Sequence, residues 1–183
     1  MNNGGSSTLG LAFDGLAFYH ATRVVGESGT IANTLTGTGS TQAQFQADYV
    51  AAKAAMRGFK NDKGKPFNPN LARLLIVVPP GLEFVAKQTL NAAIISQTGN
   101  ILVGDADLWV SPYLSDANDW FLHNIGGPIK PFAVSMESAA ILRALDNLNS
   151  DHVFKNDRFL YGADGRYNAG YLLPWLSVRT TNT

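Results

Sequence analysis

The side chains able to do proton or metal chemistry are few and scattered. His20, His123 and His152 are the three histidines, and no short spacing joins any two of them. A catalytic or metal role would need long-range convergence, so the spacing fits single surface or hydrogen-bonding histidines better. Asp105-Ala-Asp107 places two carboxylates at alternate positions, which share one face of a strand and suit a divalent cation. Beside Gly104 the same pair fits a solvated strand entry better. Asp116, Asp119 and Trp120 have the composition of an acid-plus-aromatic sugar cleft, but their spacing matches no paired-carboxylate geometry. Lys63-Gly-Lys65 runs into Pro66 and lacks the glycine spacing of a phosphate loop, and neither Gly-x-Ser-x-Gly nor His-Glu-x-x-His occurs. Phe154, Phe159, Tyr161, Tyr167, Tyr171 and Trp175 alternate loosely, as a base-stacking platform would. With only Lys155, Arg158, Arg166 and Arg179 as basic neighbours, a core or subunit interface is the better reading.

The chemistry the chain lacks narrows its function class. Basic and acidic side chains cancel at 14 each, so no net field attracts phosphates. Cysteine is absent, which removes disulfides, thiolate nucleophiles and cysteine-bound zinc. The N-terminus has no signal-peptide pattern, and no apolar run reaches the roughly 18 residues of a membrane span. Charged residues make up only 15% of 183, against about a quarter in soluble domains. A surface so poor in charge suits partners that cover it.

The elements that must hold these residues follow from periodicity. Asp14-Gly15 predicts a tight hairpin turn between residues 9–13 and 16–20. The Gly, Thr and Ser tract from Gly26 to Ser40 is expected to be mobile unless a neighbour orders it. Phe45, Tyr49, Ala52 and Met56 form one helical stripe, capped by Ser40 or Thr41 and ended by Gly58. Leu74–Val78 reads as a strand buried on both faces, stopped by Pro79-Pro80. Leu82, Val85, Ala86, Leu90 and Ala93 predict a second helix. Strands are expected at 101–103, 108–110, 120–122 and 132–136, with a short helix over 137–149. Arg158–Tyr161 and Tyr167–Val178 flank Ala163-Asp-Gly-Arg166 as a C-terminal hairpin, Pro174 bending its second strand or placing it at an edge.

Several of these stretches, taken in order, resemble the Mu-like prophage major head subunit family, gpT. The landmarks are Phe13-Asp-Gly-Leu-Ala-Phe-Tyr-His20, Ala54-Ala-Met-Arg57, Asp62-Lys-Gly-Lys-Pro66 and Leu75-Ile-Val-Val-Pro-Pro-Gly-Leu-Glu83. Val110-Ser-Pro-Tyr-Leu114, Asp119-Trp-Phe-Leu122, Asp151-His-Val-Phe154 and Phe159-Leu-Tyr-Gly162 complete the series. No one of them is specific; the ordered set is. The resemblance implies an α+β chain with the Hong Kong 97-like capsid fold: an axial domain with a mixed central sheet and flanking helices, plus part of the peripheral-domain sheet. It also implies an N-terminal arm and a spine helix, which nothing before Phe13 resembles, so the sequence is expected to be a C-terminal part of the family pattern.

The expected division is a loop-rich, peripheral-like segment at 1–40, an axial-like core at 41–150, and a hairpin at 151–183 returning to the peripheral sheet. The implied role is structural, in a virion shell assembled in the bacterial cytoplasm, with no catalytic residue, cofactor or metal. The implied partners are other copies in hexamers and pentamers, with scaffold, portal or decoration proteins as further candidates, packaged DNA only indirectly, and no membrane. Ser111, Pro112, Tyr113, Asp116, Asp119 and Trp120 are the candidate subunit-interface residues. The alternatives are a small hydrolase or sugar-active enzyme using Asp105, Asp107, Asp116 or Asp119, and a nanocompartment shell.

Overall fold

Leu74–Val78, five consecutive aliphatic residues, forms a strand inside a five-stranded sheet. The computed structural model describes residues 1–95, 97–149 and 151–182. Its strands are β1 (Arg23–Val24), β2 (Thr30–Ile31), β3 (Thr34–Thr36), β4 (Leu74–Val78), β5 (Ile94–Ile95), β6 (Thr98–Gly99), β7 (Asp107–Val110), β8 (Trp120–Asn124), β9 (Phe132–Leu145), β10 (Leu160–Tyr171) and β11 (Ser177–Thr181). Its helices are α1 (Gln42–Gly58), α2 (Glu83–Asn91) and α3 (Asp151–Asn156). The main sheet has the order β3-β11-β8-β4-β7 and is mixed: β4 runs parallel to β7 and antiparallel to β8. β11 runs antiparallel to β8 and parallel to β3.

Two compact units result, one from residues 1–131 and 171–183, the other from 132–170. In the first, the strand alternation sorts side chains between two layers. Leu74, Ile76, Val78, Trp120, Leu122 and Val178 join the cluster containing Phe45, Tyr49, Ala52 and Met56 of α1 and Ala86 and Leu90 of α2. Phe45 and Trp120 meet at 5.0 Å between ring centroids. The first expected stripe is therefore core, and the second is core at Leu82, Ala86 and Leu90 with Val85 packed against it, while Ala93 lies exposed beyond the end of α2. Thr41 caps α1, its amide donating to Gln44 Oε1 at 3.2 Å. On the opposite parity Phe121 packs against Tyr19 at 5.3 Å, so the N-terminal segment covers the other face of the sheet.

The Gly-rich tract is held by neighbours. β3 pairs with β11, and Asp48 accepts from the Thr38 amide (2.8 Å) and hydroxyl (2.9 Å). The Asp14-Gly15 turn forms with Gly15 at φ +75°, closed by the Ala12 amide on Leu16 O at 2.8 Å.

Four sequence expectations are corrected. Residues 101–103 make a turn, because Asn100 is recruited to finish α2, donating to Thr89 O (2.7 Å) and Ala92 O (2.9 Å) while accepting from the Leu102 amide (3.0 Å). Residues 137–145 continue β9 and are not helical, and 146–149 are not helical either. Helix-forming Ala and Leu are overridden by pairing with β10. Asp164-Gly165 is not a turn: β10 runs through it, and a Cβ on Gly165 would lie 3.1 Å from Ala140 Cα. The glycine serves close approach of two backbones. The last strand breaks instead at Pro174–Leu176, a 3-10 turn, after which β11 enters the interior of the main sheet. The C-terminal residues therefore form no hairpin of their own. The compact units divide at 131 and 171, and residue 150 lies outside the described residues.

The second unit is a ribbon of β9 and β10 joined through α3. Glu137 pairs with Arg166 (3.5 Å) and Arg143 with Asp164 (3.0 Å), opposite chain directions that make the strands antiparallel.

Candidate functional site

The buried polar groups of the first unit come first, because they alone could hide catalysis. His123 Nδ1 shares a hydrogen bond with Ser177 Oγ (2.9 Å), which also bonds Tyr19 OH (2.8 Å). A serine beside a histidine is the geometry of an activated nucleophile. Here His123 is 1% exposed and Ser177 0%, so no substrate reaches them. Burial pushes the His123 imidazole down to about 3 and raises the Tyr19 hydroxyl, keeping both neutral. The trio is an interior strap between β8, β11 and the N-terminal segment.

The four acids of the enzyme alternative are each held by a different partner. Asp105 binds Lys53 Nζ (2.5 and 2.6 Å) and accepts from Tyr49 OH. Burial alone would raise its carboxyl, but the Lys53 and Tyr49 hydrogen bonds and the Lys53 and Arg57 charges bring it below its ordinary value. Asp107 pairs with Arg73 (2.7 Å), and Asp119 with Arg179 (2.5 Å). Asp116 accepts from the amides of Asn118 (2.9 Å) and Asp119 (3.3 Å). Asp116 and Asp119 share a hollow of about 20 Å³ with Arg179, room for about one water. Among the described residues no three His, Asp or Glu side chains are grouped to hold a metal ion. Nor is any helix there long and apolar enough to cross a membrane.

The candidate interface residues divide. Pro112, Tyr113 and Asp116 are exposed on the loop after β7, which Asn2 clasps through Tyr113 O (2.7 Å) and the Ser115 amide (3.3 Å). Ser111, Asp119 and Trp120 are buried within their own unit. Trp120 begins the central strand β8 and fills the space against Phe45, and Asp119 neutralises Arg179 beside it.

Two apolar surfaces escaped sequence reading. The first is a trough on the first unit, formed by adjoining hollows of about 490, 200 and 300 Å³ that share Leu173. Phe13 and Phe67 flank it, both stacked on Trp175 at 5.8 and 5.3 Å. Phe13 and Val24 stand at its rim, 67% and 75% exposed. The residues come from distant parts of the chain, so no spacing reveals them. The second surface is one face of the ribbon. Alternation puts Val134, Met136, Ala140 and Leu142 of β9 on one side, with Tyr161, Ala163, Gly165 and Tyr167 of β10. The other carries the ion-paired Glu137, Arg143, Asp164 and Arg166 together with exposed Ile141, Leu145 and Leu160. Val134, Met136, Leu142, Tyr161 and Tyr167 are exposed, as are Phe154 and Phe159, so of the aromatic residues expected in a core or subunit interface only Trp175 and, in part, Tyr171 reach the core of this chain.

Comparison with solved structures identifies the fold. "Mycobacterium phage Che8" matches with a TM-score of 0.53 at 16% identity, over 81% of this chain and 53% of that one. "Capsid structure of the Cyanophage P-SCSP1u" matches at 0.54 and 13% identity, over 84% and 54%. "Asymmetric unit of bacteriophage PhiM1 mature capsid" matches at 0.51 and 13%, over 82% and 51%. The chain thus has the expected α+β capsid fold and spans about half the length of the chains it matches. No curated protein matches. The family model for "Mu-like prophage major head subunit gpT" matches residues 12–114 and 115–183, almost the whole sequence. With a capsid fold, a sealed Ser–His pair and exposed apolar faces in agreement, the chain belongs to the Mu-like prophage major head subunit gpT family.

Proposed function

We propose that this chain is the axial domain, with part of the peripheral domain, of a major head subunit that self-assembles into an icosahedral shell around DNA. The observation that carries the reading is the family match across both units of the fold. The physical features agree with it. A two-stranded ribbon is marginal alone in water, and an apolar face this exposed marks a surface made to be covered. Many modest contacts repeated by symmetry then close a container, a task that requires no nucleophile, metal or cofactor. The first unit corresponds to the axial domain and the ribbon to strands of the peripheral domain. An N-terminal arm and a spine helix complete the subunit, hexamers and pentamers are its assemblies, and the virion is its location. Pro112, Tyr113 and Asp116, on the exposed loop after β7, contact neighbouring axial domains.

The test is sedimentation velocity and negative-stain electron microscopy of the 183-residue chain over a range of concentrations. Concentration-dependent association without closed particles is expected. A strict monomer at the highest concentration would overturn self-assembly, and closed shells would overturn the need for an arm and a spine helix.

A further inference from the structure

The trough and the end of the ribbon are complementary surfaces on the same chain. At the α3 end of the ribbon Leu148, Phe154 and Phe159 are exposed, Phe154 at 86%. An aromatic ring held so far into water on a six-residue helix is an unfilled anchor, the residue type that dominates binding when it enters a desolvated pocket. The trough offers such a pocket. Its largest hollow, about 490 Å³, has aromatic walls at Phe13, Phe67 and Trp175 and falls within the range of ligand-sized cavities. Charges agree as well. Asp62 lines this hollow, and Arg158 follows α3; both are exposed, and neither has an ion-pair partner among the described residues.

We infer that the trough of one copy receives the α3 end of the ribbon of a second copy, Phe154 entering between Phe13 and Val24 and Arg158 meeting Asp62. The inference rests on the shell-subunit reading, which makes a second copy the expected occupant. It adds a contact distinct from the loop after β7. Because the two patches differ, the contact is heterologous, and each copy still offers a free patch of each kind. Such a contact propagates into rings and curved lattices, whereas a self-complementary patch would stop at a dimer.

The absence of cysteine makes the test direct. Lys155→Cys, which keeps the Phe154 ring, and Val24→Cys are purified separately with different tags, mixed and oxidised. Mixed disulfide is expected at roughly tenfold or more over a control pairing of Lys155→Cys with Ile101→Cys, a site 92% exposed, because docking raises effective concentration. In the same assay Asp62→Arg or Arg158→Asp alone should reduce the mixed product, and the two together, one in each copy, should restore it. Equal yields with both partners, or no rescue by the charge swap, would overturn the contact. So would protection of Val24→Cys, with Lys155→Cys still reactive, in a longer protein, since other polypeptide would then fill the trough. Association that persists without this cross-link removes only this contact and leaves the subunit reading standing; a strict monomer removes both.

Discussion

Mild acid should loosen the first unit through His123. Burial holds its imidazole at about 3 in the folded chain, against an ordinary 6.5 once unfolded. The folded value lies below the unfolded one, so the neutral ring stabilises the fold fully above pH 6.5 and progressively less as pH falls toward 3. In that window the unfolded chain takes up a proton that the folded chain refuses, and stability drops by about 1.4 kcal/mol per pH unit. From pH 7 to pH 5 the loss works out at about 2 kcal/mol, and it changes little if the folded value is a unit higher. The perturbation is His123→Gln, which removes the titration and keeps a polar side chain near Ser177 Oγ, now 2.9 Å from His123 Nδ1. Urea unfolding followed by tryptophan fluorescence reads the correct unit, because Trp109, Trp120 and Trp175 all lie in it. The parent chain should lose about 2 kcal/mol more than the variant between the two pH values. His20 and His152 remain in both proteins and cancel. Equal losses in the two would refute the argument, showing that the ring is protonated without unfolding the unit.

Two further outcomes are expected of the fold itself. Asn68 is buried and donates to Met56 O (3.0 Å) and Trp175 O (2.6 Å), so Asn68→Ala should cost about 2 kcal/mol in chemical denaturation by stripping both carbonyls of this donor. A change near zero would show that water replaces the amide. Limited proteolysis should cut within residues 132–170 well before the first unit, since the ribbon has few buried side chains. Earlier cleavage in residues 26–40 would contradict the ordering of that tract by β11.

Much of the fold was legible because it depends on local pattern. The stripe Phe45, Tyr49, Ala52, Met56 and the run Leu74–Val78 announce their elements and their burial, and Asp14-Gly15 announces its turn. The candidate site was legible only in part. Asp119 and Trp120 were expected at a subunit interface with Tyr113, yet two residues of chain separate an exposed Ala117 from the buried Trp120. Burial of a short aromatic-rich segment is set by what lies across the sheet, here Phe45 and Arg179, and neither is near in sequence.

What the sequence determined by itself was the class of protein: no cysteine, no balance of charge toward phosphates, no clustered catalytic pattern, and an ordered set of family landmarks. Tertiary structure decided the rest. It turned Ala- and Leu-rich residues 137–145 into a strand, because pairing with β10 outweighs helix propensity. It passed β10 straight through Asp164-Gly165, because a glycine can serve backbone approach as well as a turn. It brought Phe13, Phe67, Leu173 and Trp175 to one trough and left the ribbon's apolar face in water. Periodicity reports which side of an element is apolar. Only the assembled chain shows whether that side is covered from within or left for another molecule.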